Sequence, residues 1–160
     1  MHSDLRNSDG HYKENDVVGI STQKALIKTK ADLEGVSLLS YKLLLPGYFA
    51  YVPDTSRRGD KISLAYNDTE KVFLVSSISC VFTVAEKSEL LPQYLNIYFN
   101  RLEFDRYSRF NSWGSAREAF SWEEMCDIDI ELPPIEIQQK YVDIYQGMVN
   151  NQKAYERGLE

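Results

Sequence analysis

Lysine, arginine, amide and hydroxyl side chains are concentrated in three short polar stretches. Ser21 to Lys30 carries Thr22, Gln23, Lys24, Lys28 and Lys30. Residues 54–61 carry Thr55, Ser56, Arg57, Arg58 and Lys61. Residues 106–117 interleave Arg106, Arg109 and Arg117 with Tyr107, Asn111, Ser112, Trp113 and Ser115. These residue types suit a nucleic acid. Lysine and arginine neutralise phosphates, while arginine, glutamine and asparagine also hydrogen-bond base edges in pairs. Gly59 and Gly114 let the backbone approach a phosphate closely. The plainer reading is a set of ordinary solvated loops, with Trp113, Phe120 and Trp122 as core or loop anchors.

Groups for catalysis are sparse. Both histidines, His2 and His11, lie in the polar stretch before Val17, so a histidine-dependent site requires that stretch to fold back. The chain has no H-E-x-x-H, no Cys/His ligand pair, no P-loop, no G-x-G-x-x-G and no Asn/Asp-Pro-Pro-Tyr/Phe tetrapeptide. Cys80 and Cys126 lack C-x-x-C spacing and read as reduced thiols of a cytoplasmic protein. The acid pairs Glu123-Glu124 and Asp127-Asp129 read as solvated faces. No catalytic residue, metal site or cofactor is expected within this chain.

The charge distribution tells more than the net value of -6. Residues 121–160 hold nine acids and three bases, which is the whole excess, so residues 1–120 are balanced. Residues 17–66 carry seven bases against four acids. Nonspecific affinity for DNA follows the number of phosphates neutralised, so a body this weakly basic needs a basic partner to hold a duplex. No apolar run is long enough for a transmembrane helix, and the N-terminus has no secretory apolar core.

These loops need a scaffold, and the hydrophobic pattern supplies a mixed α+β one. Residues 1–16 read as a flexible leader and 17–133 as the body. Val17 to Ile20 reads as a strand followed by a polar turn. Leu43 to Val52 reads as a strand pair or bent strand broken at Pro46-Gly47. Lys71 to Val84 is the longest strand-like run, with Val72, Leu74, Ile78, Phe82 and Val84 at one parity. Leu91 to Phe104 has helical spacing, and 106–117 reads as a loop. Ser121 and Glu124 form a capping box for a short helix, and Ile128, Ile130 and Leu132 alternate as a strand. From residue 134 onward one long helix is expected, with Ile137, Tyr141, Ile144, Met148, Asn151 and Tyr155 spaced like a heptad seam. A coiled coil and an amphipathic helix packed on the body fit this pattern equally.

The order of these segments resembles a target-recognition domain of a type I restriction-modification specificity subunit. The similarity rests on YKLLLPGYFAYVPDTSRRGDKISLAYND followed by KVFLVSSISCVFTV. Within them, Gly47-Tyr48-Phe49-Ala50-Tyr51, Arg57-Arg58 and Val75-Ser76 stand for the family's glycine-aromatic strand, basic loop and serine-bearing strand. LPQYLNIYFNRLEFDRY resembles the helix that follows. Gly114 to Arg117, Ile128 to Pro133 and Pro134-Ile135-Glu136-Ile137-Gln138-Gln139-Lys140 resemble the end of the domain and the opening of its long helix. Ile137 separates Glu136 from Gln138 where the family often has Glu-Gln adjacent. Such subunits usually carry two recognition domains, so this chain reads as a half-subunit or an excised fragment.

The resemblance implies sequence-specific binding of double-stranded DNA at one half of a bipartite target. It implies a separate methyltransferase subunit that uses S-adenosylmethionine on adenine, and a restriction/translocase subunit. The long helix would then be spacer and dock, with self-association or a second recognition domain as further partners. On this reading Lys24, Lys28, Lys30, Arg57, Arg58 and Lys61 contact phosphates. Thr22, Gln23, Ser76, Ser115 and Arg117 read bases, although Arg117 could instead brace its loop against Glu118 or Glu124. Ile137, Tyr141, Ile144 and Met148 form the helix interface. Three rivals stay open: the recognition domain of a single-chain restriction-methylation enzyme, a protein-interaction module that binds no DNA, and a small hydrolase or transferase.

Overall fold

The structure is a computed structural model that describes residues 1–56 and 59–159. It is a mixed α+β fold ending in a long helix. In chain order the elements are β1 (His2–Ser3), β2 (Val18–Ile20), β3 (Leu26–Lys28), β4 (Lys42–Leu44), β5 (Phe49–Tyr51), β6 (Leu64–Tyr66), β7 (Phe73–Val75) and β8 (Cys80–Phe82). The helices α1 (Pro92–Phe99), α2 (Leu102–Phe110), α3 (Trp122–Cys126) and α4 (Ile135–Leu159) follow. No helix among the described residues is long and apolar enough to cross a membrane.

The strands make a four-stranded antiparallel sheet of order β1-β8-β5-β6 and two ribbons, β2-β3 and β4-β7. Alternation along the central strands sends side chains to opposite faces. Phe49, Tyr51, Cys80 and Phe82 point to one side, where they pack with Leu95, Phe99, Phe104, Phe120 and Met125 from the helices and their connections. Ala50 and Val81 point to the other side and meet Leu44 and Val75 of the β4-β7 ribbon, with Val18, Ile20 and Leu26 of β2-β3 packed against them. The four-stranded sheet is therefore covered by helices on one face and by the ribbons on the other.

Several expectations change. Residues 1–16 are not a loose leader. The N-terminal amine donates to the Thr83 carbonyl at 2.7 Å, β1 pairs with β8, and the His2 ring lies 5.4 Å from that of Trp122. Asn7 is buried and bonded to the main chain of Tyr12 and Leu38. Main-chain pairing, which an apolar pattern does not report, holds this segment. The run from Lys71 to Val84 is two strands in different sheets. A turn closed by Ser79 N–H to the Ser76 carbonyl (3.0 Å) separates them and leaves Ile78 exposed. The helical run past Leu91 breaks at Asn100-Arg101 and resumes through Phe110, so Arg106, Tyr107 and Arg109 stand on a helix rather than in a loop. Residues 128–132 form no strand; Ile128 and Ile130 pack on the core outside any strand ladder. Ser121 does cap α3, accepting from Glu124 N–H at 3.2 Å.

Helix α4 is clamped at its root. The buried Gln138 accepts from Leu91 N–H (2.9 Å) and donates to the Glu89 and Pro133 carbonyls (2.8 and 2.9 Å). The Tyr141 ring stands 6.1 Å from that of Tyr94 on α1. Beyond this root, Ile144, Met148 and Tyr155 are exposed.

Candidate nucleic-acid interface

Strand register decides which loops meet. Tyr51 closes β5 opposite both Leu64, which opens β6, and Cys80, which opens β8. The 52–63 connection and the 76–79 turn therefore leave the sheet at the same end. The β2-β3 hairpin brings its tip to that end as well. Its turn is closed by Ser21 N–H to the Ala25 carbonyl (3.0 Å) and Lys24 N–H to the Ser21 carbonyl (3.2 Å), with Lys24 at φ +61°. That left-handed conformation is costly for a side chain with a Cβ.

A buried ion pair holds the tip in place. Lys24 Nζ donates to Asp105 Oδ1 on α2 at 2.8 Å and to the Ile62 carbonyl at 3.0 Å. Ile62 N–H donates to the same carboxylate oxygen at 3.1 Å. The α2-α3 connection is tied in from the other side. Thr55 N–H donates to the Glu118 carbonyl (2.9 Å), Phe120 N–H to the Pro53 carbonyl (2.8 Å), and Arg109 Nη1 to the Thr55 carbonyl (2.8 Å). Trp113 pairs with Ala119 through the main chain, and its indole donates to Glu124 Oε1 at 3.1 Å. Four polar segments thus share one end of the molecule.

Of the base-reading candidates, Gln23, Ser115 and Arg117 are exposed at this end, and Thr22 and Ser76 are half-buried there. Arg117 leans on Asp54 at 3.9 Å, rather than on Glu118 or Glu124. Lys61 is exposed at the same end. Lys24, expected at a phosphate, instead turns its ammonium inward and buries it against Asp105. Lys28 pairs with Val18 at the open end of the hairpin, roughly 10 Å from the tip. Lys28 and the following Lys30 are exposed but stand away from the other candidates. Arg57 and Arg58 lie outside the described residues. Ile137 is partly exposed, Tyr141 is half exposed beside Tyr94, and Ile144 and Met148 are exposed further along α4.

Sequence reasoning missed the role of Asp105 and the exposed apolar residues Leu102 and Phe110 beside Arg106. The i, i+4, i+8 spacing of Leu102, Arg106 and Phe110 was the available signal. Burial pushes the Cys80 thiol and the Tyr51 phenol up from their ordinary values. Among the described residues no group of three or more His, Cys, Asp or Glu side chains is placed to hold a metal. No known family model matches the chain, and no curated protein matches it.

Proposed function

We propose that this chain is the sequence-reading half of a type I restriction-modification specificity module. It recognises one half of a bipartite DNA target and delivers a separate adenine methyltransferase and a restriction/translocase subunit to it. The observation that carries the reading is the gathering of the hairpin tip, the 52–63 connection, the 76–79 turn and the α2-α3 connection at one end. Loops on a rigid scaffold are where changeable specificity is expected. Gln23, Lys61, Ser115 and Arg117 offer donors to phosphates and base edges there.

The apolar line along α4 supports a helical partner. Tyr141, Ile144 and Met148 at coiled-coil spacing are exposed, and most of a helix's stability comes from packing its apolar face. That line also favours a second reading, an interaction module whose end loops bind no DNA. Coexpression with the methyltransferase subunit of its own locus, followed by mapping of methylated adenines, separates the two. A new methylation motif that changes when Gln23 or Arg117 is replaced supports DNA reading. An intact complex with no methylation, unaffected by those replacements, sinks it.

A further inference from the structure

One turn at the candidate interface carries a residue that turns avoid. Residues 76–79 join β7 to β8, and Ser79 N–H closes them onto the Ser76 carbonyl at 3.0 Å. The two central positions are Ser77 and Ile78. Such positions favour glycine, asparagine, aspartate or serine, which bond the turn or tolerate its backbone. Isoleucine does neither. Its side chain is 68% exposed, although Leu74, Val75, Cys80 and Val81 on the two sides of the turn keep 6% or less. A lone apolar side chain at a surface is ordinary. A β-branched one at the apex of a tight turn breaks a local rule with no return to the fold, and such breaks gather at functional sites.

The turn is firmly mounted. The buried Lys42 ammonium donates to the Ser79 carbonyl at 2.9 Å and lies 3.4 Å from Asp4. Lys42 itself stands on β4 and pairs with Val75, the last residue before the turn. Ile78 is thereby presented on a fixed backbone, so a contact at its tip costs little ordering.

The surroundings of Ile78 point to its ligand. The turn leaves the sheet beside the 52–63 connection, because Tyr51 lies opposite Cys80. Residues 76–79 include no lysine or arginine, so the turn suits base edges better than phosphates. Ser76 and Ser77 are half-buried before Ile78, and their hydroxyls can donate to base edges or accept from them. The apolar group that base pairs present in the major groove is the thymine methyl.

We propose that Ile78 packs on the methyl of one thymine in the major groove and so selects an A·T pair at that position of the half-site. The Ser76 and Ser77 hydroxyls meet the polar edges beside it. This contact rests on the DNA-reading function proposed above and adds to it one reading residue and the base pair it takes.

The test uses the complex with the methyltransferase subunit and a duplex carrying the methylation motif mapped for it. Each thymine of the half-site is replaced in turn by uracil, which lacks only the methyl. At one position the wild-type complex should bind the uracil duplex about fourfold more weakly, the worth of one buried methyl. Ile78→Ala should bind both duplexes alike at that position, and Ile78→Val should keep most of the difference. Both variants change an exposed side chain and should assemble as wild type does. Uracil tolerated at every position by wild type, or a difference unaltered in Ile78→Ala, overturns the proposal and leaves the DNA-reading function standing. Loss of the methyltransferase from the Ile78→Ala complex makes Ile78 a protein contact and also overturns it. A wild-type complex that methylates nothing and binds no duplex removes the function itself, and this contact with it.

Discussion

The ion pair between Lys24 and Asp105 should be worth more than any surface pair on this protein. Its side chains keep 5% and 8% of their exposure, so solvent screens it little. Lys24→Met leaves a buried carboxylate with only Ile62 N–H as donor. Asp105→Leu leaves a buried ammonium with carbonyl acceptors only. Breaking one side of such a pair costs about 3–5 kcal/mol. For a chain of this size that lowers the melting temperature by roughly 6–20 °C. The double variant Lys24→Met/Asp105→Leu removes both charges and should recover most of the loss. It retains a deficit of about 1–3 kcal/mol because the Ile62 amide and carbonyl lose their partners. Thermal and urea unfolding of the four proteins by near-ultraviolet circular dichroism gives the coupling directly. A double variant as unstable as the sum of the singles refutes the reasoning. So do single variants within about 1 kcal/mol of wild type, which would return Lys24 to the status of a solvated loop lysine.

Three other perturbations bear on the same architecture. Gly114 sits at φ +145°, and a Cβ there would run into the Arg117 carbonyl. Gly114→Ala should therefore cost about 1–3 kcal/mol and expose 113–119 to limited proteolysis; an unchanged digest would show that the loop adapts. Gln138→Leu strands the Leu91 amide and two carbonyls at the root of α4, for a loss of roughly 3 kcal/mol. Hydrogen exchange should then rise in α4 before it rises in the central sheet, and uniform exchange would contradict the clamp. Lys13 N–H, then Lys71, hold the Asp16 carboxyl below its usual 3.8. Its contribution is present above the unfolded value and is lost as pH falls through the folded one. The stability difference between wild type and Asp16→Asn should accordingly be constant from pH 7 to about 5 and close below about pH 4. A difference that grows on acidification would reverse the assignment.

What was readable depended on how local the cause was. The β2 strand with the turn after it, the break at Pro46-Gly47 and the Ser121 cap follow from residues within a few positions, and each stands in the structure. Lys24 could not be read this way, because its partner lies 81 residues on. In a polar turn, a lysine headed inward and one headed for phosphate look alike. Helix α2 escaped notice because its buried face is Phe104, Asp105 and Ser108, which makes no apolar stripe. Ile128 and Ile130 do bury their side chains as their alternation suggests, but no neighbouring strand offers them a ladder. At the candidate interface the polar segments were visible in composition. Their gathering at one end was not, since that follows from the pairing of Tyr51 with both Leu64 and Cys80.

The clamp at Gln138 also sets an angle. From there to Leu159 the helix runs about 32 Å at its standard rise. A tilt of about 10° at the root would swing the far end by roughly 5 Å, close to one helical pitch. Three short hydrogen bonds on one amide side chain therefore act as the bearing of a lever. Substitutions around Glu89, Leu91 and Pro133 would re-aim whatever α4 carries or meets, without touching a residue on its exposed line.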